Sequence, residues 1–280
     1  MKGLRCLWCL FLALALAGSA CKKSNLEEEF FLGPGKRYDL ALEGGFNTLT
    51  INQYIRLTKP SMHPDSIPTP IRNASVVVND GRVDIVYKES AIPGTYVAAF
   101  RGDPNYNNAY KLTLKYDGKT YTAVDTLRQV VNVVDDFLPL STRINEAQNV
   151  EGNIPKHTFG YLNPNKWYIS YKDIPFWNPS QFDQSKYYSY THFLGSPNSL
   201  YPLNNLKRAF TLGPEEYIYI YKISLSAKYS QYLYSVFMET DWNGLFSGVP
   251  VNGEGNVSGN VQGFFSVTDV DSRRYRAKEL

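Results

Sequence analysis

The sequence predicts a mainly β fold: an N-terminal β-sandwich, then a second β-rich region that carries one amphipathic helix. Three observations lead there. Tyrosine is abundant, with 22 Tyr beside 15 Phe and 4 Trp, and these residues favour sheets with one wet face. Short runs of strand formers alternate with turn signals, of which Asn79-Asp80-Gly81 and Asp117-Gly118 are strong hairpin signals. The apolar period changes from two to the helical three-and-four spacing late in the chain, at Tyr229, Tyr232, Leu233, Val236 and Phe237.

Residues 1–20 have the layout of an export signal. Lys2 and Arg5 give a basic start, Leu10 to Ala17 are apolar, and Gly18-Ser19-Ala20 are small. Cys21 follows at once, where the mature chain would begin. This arrangement resembles a bacterial lipoprotein signal, in which Cys21 receives the lipid; Gly18 stands where that pattern usually has Leu. The apolar run from Leu7 to Ala20 is too short for a membrane span, which needs about 20 residues. Ordinary cleavage after Ala20 without lipidation is the other reading.

Loss of the signal takes 20 residues from 280 and leaves 260, with the formal charge falling from +3 to +1 as Lys2 and Arg5 depart. A chain so close to neutral makes no case for nucleic acid. Of the three cysteines, Cys6 and Cys9 leave with the signal and Cys21 sits at the modified end. The body then has no disulfide, and its stability rests on packing.

Residues 21–35 read as a lipidated tether. They are polar at Lys22 to Asn25, acidic at Glu27 to Glu29, and broken by Gly33-Pro34-Gly35. Residues 36–127 read as the sandwich. Its expected strands lie at Tyr38–Glu43, Thr48–Leu57, Ala74–Asn79, Val83–Tyr87, Thr95–Phe100, Ala109–Tyr116 and Lys119–Val124. Turns at Asn79-Asp80-Gly81, Pro93-Gly94 and Asp117-Gly118 separate them, and Pro60 to Pro70 is a long connection.

Residues 128–280 read as a β-rich C-terminal domain with one helix. Its first part, 128–155, has weak patterning and is expected to be a linker with one short strand. A second β region opens at Phe159–Tyr171. The stretch Asp173–Leu206 is rich in Pro, Asn, Ser and Tyr and is expected to form long loops. Glu216–Leu225 alternates strictly, with Tyr217, Tyr219, Tyr221, Ile223 and Leu225 on one face. Gly253–Val267 reads as a Gly/Asn-rich loop entering a strand.

Motifs for chemistry are missing from the sequence. His63, His157 and His192 lie far apart, no Gly-x-Ser-x-Gly elbow is present, and no zinc or phosphate-loop spacing occurs. Asp135-Asp136 and Asp269-Val270-Asp271 lack the ligand spacing of a calcium loop and read as turns. The expectation is a non-enzymatic protein with no cofactor and no metal. A candidate binding loop gathers Trp177, Phe182, Tyr187, Tyr188, Tyr190 and Phe193 among amide and hydroxyl side chains. Such rings suit sugars, peptides or a protein partner, or they pin a long loop to the sheet beneath.

Several segments taken in order resemble an uncharacterised family of Bacteroidetes lipoproteins with an N-terminal Ig-like or transthyretin-like β-domain. They are Ile71–Val78, Pro93–Tyr96, Tyr110–Leu114 and Asp117–Ala123, then Ile223-Ser224-Leu225 and the helix with Tyr229, Tyr232 and Tyr234. Asn256-Val257, Gly259-Asn260 and Gly263-Phe264-Phe265 complete the set. The resemblance implies an Ig-like sandwich and no assigned catalytic residue. Members are similar in setting to accessory lipoproteins of TonB-dependent transporters, which implies an outer-membrane location, a transporter as partner and a part in nutrient uptake. A structural or assembly role in the envelope, and a free-standing glycan- or peptide-binding lipoprotein, are the alternatives. In this family setting, acidic residues near the lipidated Cys go with display on the cell surface. Here lysines come first and the acidic run starts at Glu27, so either membrane face stays open. Asp65-Ser66-Ile67 and Asp125-Thr126-Leu127 resemble the O-glycosylation acceptor pattern of exported Bacteroidetes proteins.

Overall fold

The computed structural model describes residues 38–60, 69–134, 138–154, 165–172, 189–192, 209–240 and 254–280. The expected signal, Cys21 and the tether lie outside these residues. The described part is mainly β, with one α-helix among the described residues.

Seven strands make the sandwich: β1 (Leu40–Asn47), β2 (Asn52–Thr58), β3 (Ser75–Asn79), β4 (Asp84–Glu89), β5 (Thr95–Ala99), β6 (Ala109–Tyr116) and β7 (Lys119–Thr126). They follow one another in the order β1-β2-β5-β4-β3-β6-β7. β4 is the fold line. It pairs with β3 through Asp84–Tyr87 but with β5 only at Lys88 and Glu89. A strand shared in this way lets one half of the sheet fold over the other. Leu40, Leu42, Ile55 and Leu57 then meet Val76, Val78, Leu112 and Leu114 in one core, all essentially inaccessible. Lys111 and Lys115 alternate outward between the buried residues of β6.

The turns explain the strand limits. Asp117 and Gly118 both have positive φ, 48° and 70°, and Tyr116 pairs with Lys119. This is the tight two-residue hairpin that an Asp-Gly pair favours. Between β3 and β4, Asp80 Oδ1 accepts the N–H groups of Arg82 and Val83 at 2.8 and 2.7 Å. β2 starts at Asn52, later than the alternation from Thr48 predicts. Asn47 Oδ1 takes the N–H groups of Leu49 and Thr50 at 3.0 Å each, and buried Gln53 takes the Asn47 N–H at 2.8 Å. These side chains hold a turn where propensity favours a strand.

Beyond the sandwich come β8 (Ser141–Ile144), β9 (Val150–Asn153), β10 (Asn165–Ser170), β11 (Ser189–His192), β12 (Ala209–Leu212) and β13 (Tyr217–Ser224). A three-stranded sheet runs β12-β9-β8. The sequence offers one short strand within 128–155; the structure has two, β8 and β9. Asn145 closes their hairpin by accepting the N–H groups of Ala147 and Asn149 at 3.0 Å each. A four-stranded sheet starts β11-β10-β13. Trp167, Ile169, Ile218 and Ile220 from it pack with Val150, Phe210 and Leu212 in a second core. β13 therefore buries both faces. Ile218 and Ile220 fill the second core, while Tyr221 on the opposite face packs with Tyr168 and Leu49.

The helix, α1, spans Ala227–Thr240. Ser226 caps it, its Oγ accepting the Tyr229 N–H at 3.1 Å. Leu233 is buried, and the rings of Tyr229 and Tyr232 lie 4.9 and 5.2 Å from that of Phe264. The side chains of Val236 and Phe237, the rest of the expected stripe, lie outside the described residues.

The chain then returns to its beginning through β14 (Val261–Gly263) and β15 (Ser266–Thr268), which pair parallel with β1 at Leu40↔Val261 and Gly45↔Ser266. Two glycines allow the close approach. A Cβ on Gly263, whose φ is 102°, would lie 2.0 Å from the Leu42 carbonyl oxygen; one on Gly45 would lie 1.8 Å from that of Ser266. Val261, Phe265 and Val267 thereby enter the first core. β16 (Val270–Arg276) then adds to the edge of β13. Residues assigned by sequence to 128–280 thus complete the sheet assigned to 36–127, and Tyr38–Leu280 is one compact unit.

Candidate functional site

The buried acids are occupied by the fold. Asp269 Oδ1 accepts the Thr48 hydroxyl at 2.6 Å and the Tyr106 hydroxyl at 3.2 Å, and its Oδ2 accepts the Val130 N–H at 2.8 Å. Asp271 Oδ2 accepts the Val133 N–H at 2.8 Å and lies 3.4 Å from Arg273 Nε. These bonds use the lone pairs a calcium ion would need. Asp135 and Asp136 lie outside the described residues. Among those described, no group of three His, Cys, Asp or Glu side chains comes together to hold a metal. Asp125, the acid of the second glycosylation-like tripeptide, is likewise buried, with the Val267 N–H on its Oδ2 at 2.8 Å. Burial pushes its carboxyl up to about 6, against the Ser226 hydroxyl, backbone N–H groups and Lys228, which pull it down.

Of the expected binding loop, Trp177, Phe182, Tyr187, Tyr188 and Phe193 lie outside the described residues, as do His63, His157 and the tripeptide Asp65-Ser66-Ile67. Tyr190 falls in β11, at the register position opposite Trp167. β11, which carries Tyr190, thus lies beside β10.

Around that point the structure gathers residues that no motif singled out. The Trp167 ring carries Lys222 Nζ at 5.2 Å from its centroid, a cation–π contact between paired neighbours on β10 and β13. Among the described residues, Trp167 Nε1 is buried without a hydrogen-bond acceptor. Its neighbour in sequence, Lys166, lies on the other face of β10, where burial alone pushes the ammonium down to about 8. On that same face, the Tyr168 and Tyr221 rings lie 5.4 Å apart.

The small sheet bears a hollow of about 510 Å³. Ser141, Arg143, Glu151, Asn153 and Thr211 line it. Arg143 Nη2 lies 2.6 Å from Glu151 Oε2, and the Asn145 amide and Arg143 hold that carboxyl below the usual range. Gly152 forms part of the lining. A Cβ there would lie 2.0 Å from the Phe210 ring, so glycine lets that ring cross the sheet and close the hollow from beneath. Hydroxyl, amide and paired charged groups around an open hollow suit a ligand rich in hydroxyl or amide groups. They do not supply a nucleophile with a base beside it. Sequence reading missed these residues because ordinary strand positions carry them, with cross-strand register as the only thing joining them.

Comparison with known proteins adds little. No protein-family model matches the chain, and no curated protein matches it. Among solved structures, the chain is similar to the crystal structure of the chicken CNTN1 FN1-FN3 domains at 11% identity and a TM-score of 0.23. That similarity covers 68% of this chain and 63% of that one. The fold assignment rests on the strand register and the two cores, not on this likeness.

Proposed function

We propose that this chain is a lipid-anchored protein of the outer membrane that works by binding and not by catalysis. Its partner in this reading is a TonB-dependent transporter engaged in nutrient uptake. The observation that carries the proposal is the signal layout ending in Cys21, ahead of a β-sandwich body. The family resemblance of that body supports the transporter as partner. Among the described residues, the buried acids Asp80, Asp125 and Asp269 all accept structural hydrogen bonds. The test is to tag the C-terminus, solubilise native membranes gently and identify what co-purifies. A large barrel at near-equal amount supports the reading; recovery of the chain alone, or loss of no membrane attachment in Cys21→Ser, overturns the corresponding half of it.

A second reading has its own observation. The polar hollow on the β8-β9-β12 sheet favours a free-standing glycan- or peptide-binding lipoprotein. It predicts that the purified body binds a ligand alone and that Arg143→Ala weakens binding. If Trp177→Ala weakens it as well, the aromatic loop belongs to the same site.

A further inference from the structure

The four-stranded sheet ends in β16, and the register fixes which of its backbone groups face outward. Ser224 N–H donates to Asp269 O at 2.8 Å, and Ala277 N–H donates to Glu216 O at 2.8 Å. With Tyr217↔Arg276 through Ile223↔Val270 paired between them, the odd-numbered residues of β16 bond to β13. Val270, Ser272, Arg274 and Arg276 therefore turn their N–H and C=O groups away from the sheet. The fold caps both ends of this row. Val270 N–H goes to Thr48 Oγ1 at 3.0 Å, and Arg276 N–H goes to Glu279 Oε2 at 2.8 Å. Between the caps, Ser272 and Arg274 have no such partner among the described residues, and Ser272, Arg273 and Arg274 are all exposed. The edge of β7 is treated differently: Ser258 N–H bonds to Thr122 O at 2.7 Å, and the Thr122 N–H bonds to Ser258 Oγ at 2.8 Å.

We propose that the outer edge of β16, from Ser272 to Arg274, accepts an extended acidic segment of a partner protein as an added strand. Two N–H and two C=O groups in register offer main-chain hydrogen bonds, which give strand addition its affinity. Charge selects the occupant. Arg274 stacks on Tyr217 at 4.8 Å and has no carboxylate partner among the described residues. Arg276 flanks it on the same face, and Arg273 lies on the other. A second copy of this edge would set arginine against arginine, so self-pairing is disfavoured. An incoming strand with Glu or Asp at alternate positions faces Arg274 first, and then Arg276, which Glu215 already approaches at 3.6 Å. The inference goes beyond the transporter reading and does not depend on membrane attachment.

The test uses the full chain and a short labelled peptide of alternating Glu and Val, with a Lys-Val peptide as control. The Glu-Val peptide is expected to bind and to slow amide exchange at Ser272 and Arg274, while the Lys-Val peptide does not bind. Ser272→Pro removes an outward N–H but none of the bonds to β13, and should weaken binding about tenfold. If that variant does not fold, Arg274→Glu carries the test, because it keeps the backbone edge and should reverse the preference between the two peptides. No binding by the native chain, equal binding of both peptides, binding unchanged in a folded Ser272→Pro, or self-association through this edge would each overturn the proposal.

Discussion

Asp125 and Val267 are joined by a 2.8 Å hydrogen bond across 142 residues of sequence. The bond ties β7 to the returning strand β15, beside the capped start of α1. It places a carboxyl with a pKa of about 6 at the point where three elements converge.

Burial of this carboxyl, against the pull of that bond, makes stability depend on pH in a defined direction. An unfolded Asp titrates near 3.8, while Asp125 in the fold titrates near 6. Between those values the folded state holds the extra proton, so stability falls as pH rises from about 4 to about 6 and then levels off. The loss is about 2–3 kcal/mol. Asn at this position cannot titrate. Urea unfolding of native chain and Asp125→Asn should therefore show a stability difference that changes by that amount between pH 4 and pH 7. A constant difference across that range would refute the assignment.

Asp269→Ala should be among the most damaging single changes. It leaves the Val130 N–H buried without an acceptor and removes the tie to Thr48 and Tyr106. The expected cost is about 3–5 kcal/mol. Thermal unfolding reads it, and a drop of only a degree or so would mean the carboxylate is dispensable.

Tyr96→Phe removes a single oxygen. The hydroxyl donates to Ile71 O at 3.0 Å and accepts from Ala74 N–H at 2.9 Å, pinning the chain that enters β3. A buried carbonyl and a half-buried N–H lose their partner, for about 1–3 kcal/mol in a chemical unfolding curve. An unchanged midpoint would show that the entering chain is held by apolar packing alone.

Glycine substitutions should separate turn strain from strand contact. Gly118 has a φ of 70° and open space where a Cβ would go, so Gly118→Ala costs about 1–2 kcal/mol. Gly263→Ala meets the Leu42 backbone and must push β14 off β1, at a cost above about 3 kcal/mol. Equal losses at the two sites would contradict the close parallel pairing.

The β-sandwich was largely legible in the sequence because its information is local. Asp117-Gly118 closes a two-residue hairpin, and Leu112 and Leu114 alternate with lysines on one strand. What stayed hidden was long-range. Gly253–Val267 reads as a loop entering a strand, but nothing local shows that Val261 and Ser266 pair parallel with Leu40 and Gly45. The strict alternation from Tyr217 marked a strand correctly, but period alone does not show that Ile218 and Ile220 face a second core. At the candidate site, Arg143 and Glu151 come together by cross-strand register, which no spacing rule reveals. The aromatic loop from Trp177 to Phe193 is legible as composition, and only Tyr190 has a place in the described fold.

The parallel return of β14 and β15 onto β1 sets an order of events during biogenesis. Ser266 lies 222 residues after Gly44, whose carbonyl its hydroxyl meets. A chain synthesised N-terminus first leaves one edge of β1 bare until nearly all of it has emerged. Contacts of such long sequence separation close late and slowly. A nascent chain in this state exposes an unpaired apolar strand to its neighbours and depends on whatever shields it. Truncation before Val261 should trap that state permanently, leaving a protein that collapses but never seals.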